Sequence, residues 1–128
     1  MNVNAHKNIV ITREVKVKKP ITVVAAFMTG AAQLGSWLSP VKSVAAQLDG
    51  VIEFRAEVGF EHGGRYTKFV EPSHYVLVTD KFGEIEARFA DIDGATVATL
   101  QFSKAADDGF EKVVADTITR FIAMVNYK

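Results

Sequence analysis

At 128 residues the chain has the length of one domain, about 100–200 residues, and 1–128 is expected to form a single domain. A hydrophobic content of 48 % against 23 % charged residues excludes intrinsic disorder, and 15 basic residues balanced by 15 acidic ones leave no overall field to recruit nucleic acid or an anionic membrane. The absence of cysteine excludes disulfides, thiolate metal sites and a cysteine nucleophile, and fits a reducing, cytoplasmic setting.

Residues 1–8 carry no apolar signal core, and the longest apolar run, Val23 to Met28, falls far short of the ~18–20 residues of a membrane span. From Ile9 to Val17 the chain alternates, with Ile9, Ile11, Val15 and Val17 on one side and Thr12, Glu14 and Lys16 on the other, the period of a strand with one buried face. Arg13 falls on the apolar side. Lys19-Pro20 ends this strand, and Pro20 suits a first helical turn through its fixed φ. Two short helical segments follow, the second leading from Ala31 into Trp37-Leu38-Ser39-Pro40.

Beyond Pro40 the spacing is that of antiparallel strands. Val41 to Leu48 and Val51 to Val58 flank Asp49-Gly50, a pair that predicts a two-residue hairpin turn with both residues at positive φ. Further strands are predicted over Gly63 to Val70, His74 to Thr79, Glu84 to Asp91 and Ala95 to Ser103, with turns at Glu71-Pro72-Ser73, Phe82-Gly83 and Ile92-Asp93-Gly94. The period then changes. Phe110, Val113, Val114, Thr117, Ile118, Phe121, Met124 and Val125 recur at helical spacing, with Asp107 and Asp108 placed to cap the N-terminus. A sheet with one apolar face needs a cover, and this C-terminal helix is the element long enough to supply it.

That order resembles the helix-grip superfamily of START and SRPBCC proteins, which includes the birch-pollen allergen and polyketide cyclases. It is most similar to the branch named after the activator of the heat-shock ATPase. The resemblance rests on Ile11-Thr12-Arg13 running to Lys19-Pro20, Trp37-Leu38-Ser39-Pro40, Gly63-Gly64-Arg65-Tyr66 running to Glu71-Pro72, and Gly109-Phe110 opening the last helix. It implies an α+β fold in which a curved antiparallel sheet of about seven strands wraps a long C-terminal helix, with two short helices after strand one. It also implies a cavity between helix and sheet for a small hydrophobic or amphipathic molecule, with enzymatic activity in only some relatives.

The candidate ligand-binding residues are Arg13 as a polar anchor, Trp37 near the mouth, Phe54, Tyr66 and Phe89 on the sheet side, and Phe110, Thr117 and Phe121 on the helix side. The aromatic residues among them would equally interdigitate as core, and Arg13 would equally point to solvent or meet a structural partner. His6, His62 and His74 lack metal-ligand spacing, and Asp91-Ile92-Asp93-Gly94 fails as a calcium loop because Ala95 and Phe102 occupy ligand positions. No metal, cofactor or catalytic residue is therefore expected. Glu53, Arg55 and Glu57, and likewise Glu84, Glu86 and Arg88, read as a solvated outer face. The leading expectation is a binding protein, monomeric or homodimeric, with no nucleic-acid partner and no membrane span. The alternatives are a cyclase- or hydrolase-type enzyme using the same pocket through Tyr66, Arg13 or Tyr75, and a chaperone-regulating or other interaction module.

Overall fold

A computed structural model describes residues 8–55, 63–80, 82–105 and 109–126. Strand β1 (Asn8–Val17) leads into α1 (Ile21–Ala25), a 3-10 turn (Ala26–Met28) and α2 (Ala31–Trp37). Six strands follow, β2 (Val41–Val44), β3 (Val51–Phe54), β4 (Gly63–Val70), β5 (His74–Thr79), β6 (Gly83–Ile92) and β7 (Ala95–Ala105), and then α3 (Phe110–Val125). They form one antiparallel sheet in the order β1-β7-β6-β5-β4-β3-β2. Each strand from β2 to β7 pairs with its chain neighbour, and β1 pairs along its whole length with β7, from Asn8 opposite Ala105 to Val17 opposite Thr96. The architecture is the α+β helix-grip arrangement the sequence predicts.

Alternation decides which face is buried. Val15 and Val17, Ile85, Ala87 and Phe89, and Ala98, Leu100 and Phe102 all point inward and are buried, while Glu84, Arg88 and Glu14 on the intervening positions are exposed. The helix contributes Phe110, Val114, Thr117, Ile118, Phe121 and Val125 to the same core, one side of a regular 3.6-residue repeat. It packs against α2 and β1, while α1 lies on β6 and β7. Gly109, at φ 84°, begins it. Asp107 and Asp108 lie outside the described residues, as do His6, His62 and residues 56–58 of the predicted third strand.

The hairpin at Asp49-Gly50 differs from the expectation. Strands β2 and β3 do pair, with Val44 opposite Ile52, but residues 45–50 form a longer connection and only Asp49 of the pair has positive φ, at 63°. The reason is tertiary: Asp49 N–H donates to the Tyr66 carbonyl at 2.9 Å and Tyr66 N–H donates to the Gly50 carbonyl at 3.0 Å. The connection is thus committed to β4, and β2 is cut short at Val44. At the other turn, Asp93 and Gly94 both take positive φ, 53° and 83°, and the Gly94 N–H is held by Asp91 Oδ1 at 3.2 Å. Register shifts in β2 between Val41 and Ser43 and in β4 between Tyr66 and Lys68 bend the sheet locally.

Candidate functional site

Two groups of aromatic side chains meet at the 3-10 turn between α1 and α2. On the helix side, Trp37 is fully buried and its ring lies edge-on to Phe121 at 4.9 Å between centroids. Phe27 approaches Phe121 from another direction at 6.3 Å. On the sheet side a chain of rings crosses three strands: Tyr66 to Phe69 at 5.2 Å, Phe69 to Tyr75 at 5.1 Å and Tyr75 to Phe89 at 6.0 Å. The first two contacts are edge-to-face and the third is tilted at 59°, arrangements that the ring quadrupoles favour.

Consecutive backbone carbonyls join the two groups. Trp37 Nε1–H donates to the Phe27 carbonyl at 2.9 Å, and Tyr66 Oη–H donates to the Met28 carbonyl at 2.6 Å. Trp37 is therefore the last residue of α2, held inside the core, and not the loop residue at a solvent-facing mouth that its place beside Pro40 suggests. Arg120 on α3 fastens the same corner: its Nε donates to the Trp37 carbonyl at 3.1 Å and its Nη2 to Thr117 Oγ1 at 3.1 Å. A guanidinium thus satisfies a carbonyl that the end of α2 leaves without a helical partner.

The remaining predicted residues fall into different surroundings. Phe54 is buried, and its ring passes over Gly64, where an added Cβ would meet it at 3.5 Å. Phe110 is buried at the start of α3, with Lys104 Nζ 5.8 Å from its ring centroid. Thr117 is fully buried, and its hydroxyl donates to the Val113 carbonyl at 2.7 Å. Arg13 stands opposite Leu100 in the register, as alternation requires, yet it is exposed and its Nη1 donates to the Thr12 carbonyl at 3.0 Å. Because β1 is a sheet edge, the flexible stem can carry the guanidinium past the core to water. The structure thus brings Trp37 and Phe121 into direct contact, sets Tyr66 and Phe89 at two ends of one ring chain, and leaves Arg13 outside. Phe27, Phe69 and Arg120 were missed. Phe69 is hidden by the β4 register shift, and Arg120 lies on the helix face that the periodicity assigns to solvent.

Burial pushes the Tyr66 phenol well above its ordinary pKa, with the nearby Tyr75 phenol adding to the effect. Tyr75 is pushed up to about 12, again chiefly by burial and then by the Glu71 carboxylate. Both phenols are protonated at neutral pH and can donate.

The outer face carries a separate cluster. His74 Nε2 lies 2.6 Å from Glu86 Oε2, and Arg88 reaches the same oxygen through Nη2 at 3.0 Å and Nε at 3.2 Å. Partial burial alone would raise the Glu86 pKa, but the bonds from His74 and Arg88 outweigh it and hold the carboxyl below its usual value. A carboxylate depressed in the folded state contributes stability above its unfolded pKa, and that contribution is lost as pH falls through the folded value. Urea denaturation at a series of pH values should show Glu86→Gln less stable than the wild type at neutral pH. The gap should close as pH drops below the ordinary carboxylate range; a gap constant down to strongly acid pH would contradict this account. Among the described residues no three histidine, aspartate or glutamate side chains group as metal ligands, and no helix is long and apolar enough to cross a membrane.

No family model matches the sequence, and no curated protein matches it significantly. Solved structures do match. Protein BH1534 of Bacillus halodurans superposes with a TM-score of 0.75 at 16 % identity, over 92 % of this chain and 97 % of that one. The AHSA1-like protein of Aeromonas hydrophila gives 0.63 at 16 % identity, over 94 % and 97 %. The Aha1 dimer of Colwellia psychrerythraea gives 0.67 at 13 % identity, over 91 % of each chain. The fold is the AHSA1-like, SRPBCC one. Identities this low establish the fold and leave the activity to the site itself.

Proposed function

We propose that this AHSA1-like chain binds a small, largely apolar molecule between the inner face of the sheet and α3, with Tyr66, Phe54 and Phe89 walling it from the sheet and Phe110 and Phe121 from the helix. Trp37 and Thr117 set the helix wall, and Arg13 lies at the sheet edge as an outer polar contact. The observation that carries this reading is the chain of rings from Tyr66 through Phe69 and Tyr75 to Phe89. Steeply inclined rings offer both edges and faces to an apolar guest, the usual make-up of small-molecule sites. Among the described residues the buried polar side chains are the hydroxyls of Thr79, Thr96 and Thr117, the two phenols and the Trp37 indole, with no carboxylate or imidazole. Such a lining favours binding over acid–base chemistry, which calls for carboxylates or imidazoles with separated pKa values.

The single tryptophan supplies a reporter, since Trp37 touches Phe121 inside the proposed wall. Native mass spectrometry of gently purified protein is expected to show a small-molecule adduct. Trp37 emission should shift when neutral aromatic and lipid-like compounds are titrated in. A clean unliganded mass with unchanged emission across such a panel would overturn the reading.

The Aha1 structure is that of a dimer, and this favours a second property, self-association of the present chain. Sedimentation velocity over a concentration series is expected to reveal a dimer; a constant monomer coefficient would remove it.

A further inference from the structure

Five hydroxyl-bearing side chains are buried among the described residues, and four have a protein acceptor. Tyr66 donates to the Met28 carbonyl, Thr96 to the Lys19 carbonyl at 2.8 Å, Thr117 to the Val113 carbonyl and Thr79 to the Gly83 carbonyl at 3.2 Å. Thr79 Oγ1 also accepts from the Phe82 N–H at 2.9 Å. Tyr75 is the exception. It is 1 % exposed, it stands inward on β5 opposite Ala87, and no group among the described residues accepts its proton. Leaving a buried donor unpaired costs the full desolvation of that group, so the phenol at this position calls for a partner that uses its hydroxyl.

Resting on the binding role proposed above, we infer that Tyr75 Oη is the hydrogen-bond donor of that site, and that its ligand is a neutral, ring-containing molecule with a carbonyl-type acceptor oxygen. The ring follows from the surroundings, since Phe69 and Phe89 flank Tyr75 at 5.1 and 6.0 Å and at angles of 81° and 59°, a setting into which a flat guest fits edge-on or offset. Neutrality follows from the charge inventory. Among the described residues the buried polar or charged residues are threonines, so none of them offers a counter-ion to a ligand carboxylate or ammonium. The Glu71 carboxylate, whose field acts on the Tyr75 phenol, adds repulsion toward an anion. The acceptor oxygen follows from the phenol itself, which holds its proton at neutral pH.

Two measurements test this. The first needs no ligand. Tyr75→Phe removes a hydroxyl with no acceptor among the described residues, so its melting temperature is expected to equal or exceed that of the wild type, while Tyr66→Phe, which orphans the Met28 carbonyl, should melt lower. A Tyr75→Phe protein that melts as far below the wild type as Tyr66→Phe does would show that the hydroxyl already has a structural partner, overturning the proposal. The second uses a matched pair of probes, 2-acetylnaphthalene and 2-isopropenylnaphthalene, which differ in a carbonyl oxygen replaced by methylene. In protein-observed NMR titrations the wild type should prefer the ketone by about 3–10-fold, the worth of one neutral hydrogen bond, and Tyr75→Phe should bind both alike. Equal affinity of the wild type for both probes, or an unchanged preference in Tyr75→Phe, would defeat the donor role while leaving the binding role intact. If neither probe binds the wild type, the assignment of a flat, neutral ligand fails, and the adduct and emission measurements above decide the binding role separately.

Discussion

Phe121→Ala is expected to destabilise the protein by about 3–5 kcal/mol, the range for removing a buried phenylalanine when the surroundings relax only in part. Phe121 is fully buried, and its ring touches both Phe27 and Trp37. Its loss opens a void between α3 and the corner that α1 and α2 make, and the rings left behind forfeit their packing partners. For a chain of this size each kcal/mol corresponds to about 4 °C, so calorimetry should show a drop of roughly 12–20 °C. Ile122→Ala, at an exposed position on the next residue of the same helix, serves as the control and should cost less than about 1 kcal/mol. Similar losses at the two positions would mean that α3 does not seat against the sheet through Phe121.

A second large effect is expected from Gly50→Ala, where one methyl group must displace backbone. A Cβ at Gly50 would stand 1.8 Å from the Ala45 carbonyl oxygen and 2.9 Å from the Gln47 carbonyl oxygen. Neither atom can swing away as a side chain does. Relief must come from the loop, and the loop is tied to β4 through the bonds that Asp49 and Gly50 share with Tyr66. Overpacking together with the loss of those bonds should cost about 3 kcal/mol or more. The comparison is Gly94→Ala, where nothing lies within 4 Å of the new Cβ and the cost is that of holding alanine at φ 83°, about 1–2 kcal/mol. Chemical denaturation of the two variants should rank them in that order. Because Tyr66 carries both the backbone link to this loop and the hydroxyl link to Met28, Gly50→Ala is also expected to weaken ligand binding, measurable by the Trp37 titration.

Much of the fold was legible in the sequence because its determinants are local. Strands β4 and β5 have the boundaries that turn residues predict, α3 runs from the first to the last residue of the predicted apolar repeat, and β6 and β7 differ by a residue or two at their ends. A period of two or of 3.6 is a property of neighbouring residues and needs no knowledge of the partner element. The Asp49-Gly50 turn was misread for the complementary reason. The dipeptide does favour a tight hairpin, but its conformation is settled by hydrogen bonds to Tyr66, sixteen residues past Gly50.

The candidate site divides along the same line. Which residues are aromatic, and that Phe89, Phe110 and Phe121 turn inward, follows from pattern alone, since each falls on the apolar phase of its element. What each does with its polar atoms does not. The indole of Trp37 is held by a carbonyl ten residues away, the hydroxyl of Tyr66 by one 38 residues away, and the Trp37 carbonyl by a guanidinium 83 residues away. Those bonds turn a predicted mouth residue into a core one. Arg13 shows the converse: its phase is apolar, and only the position of β1 at the edge of the sheet lets it reach solvent. By itself, the sequence determined the kind and order of the elements and the composition of the inner face, because short-range periodicity and hydrophobicity suffice for both. The tertiary structure decided which inward-facing polar groups are paired and that, among the described residues, Tyr75 is the buried hydroxyl without an acceptor, because hydrogen-bond satisfaction is a property of atoms brought together from distant parts of the chain.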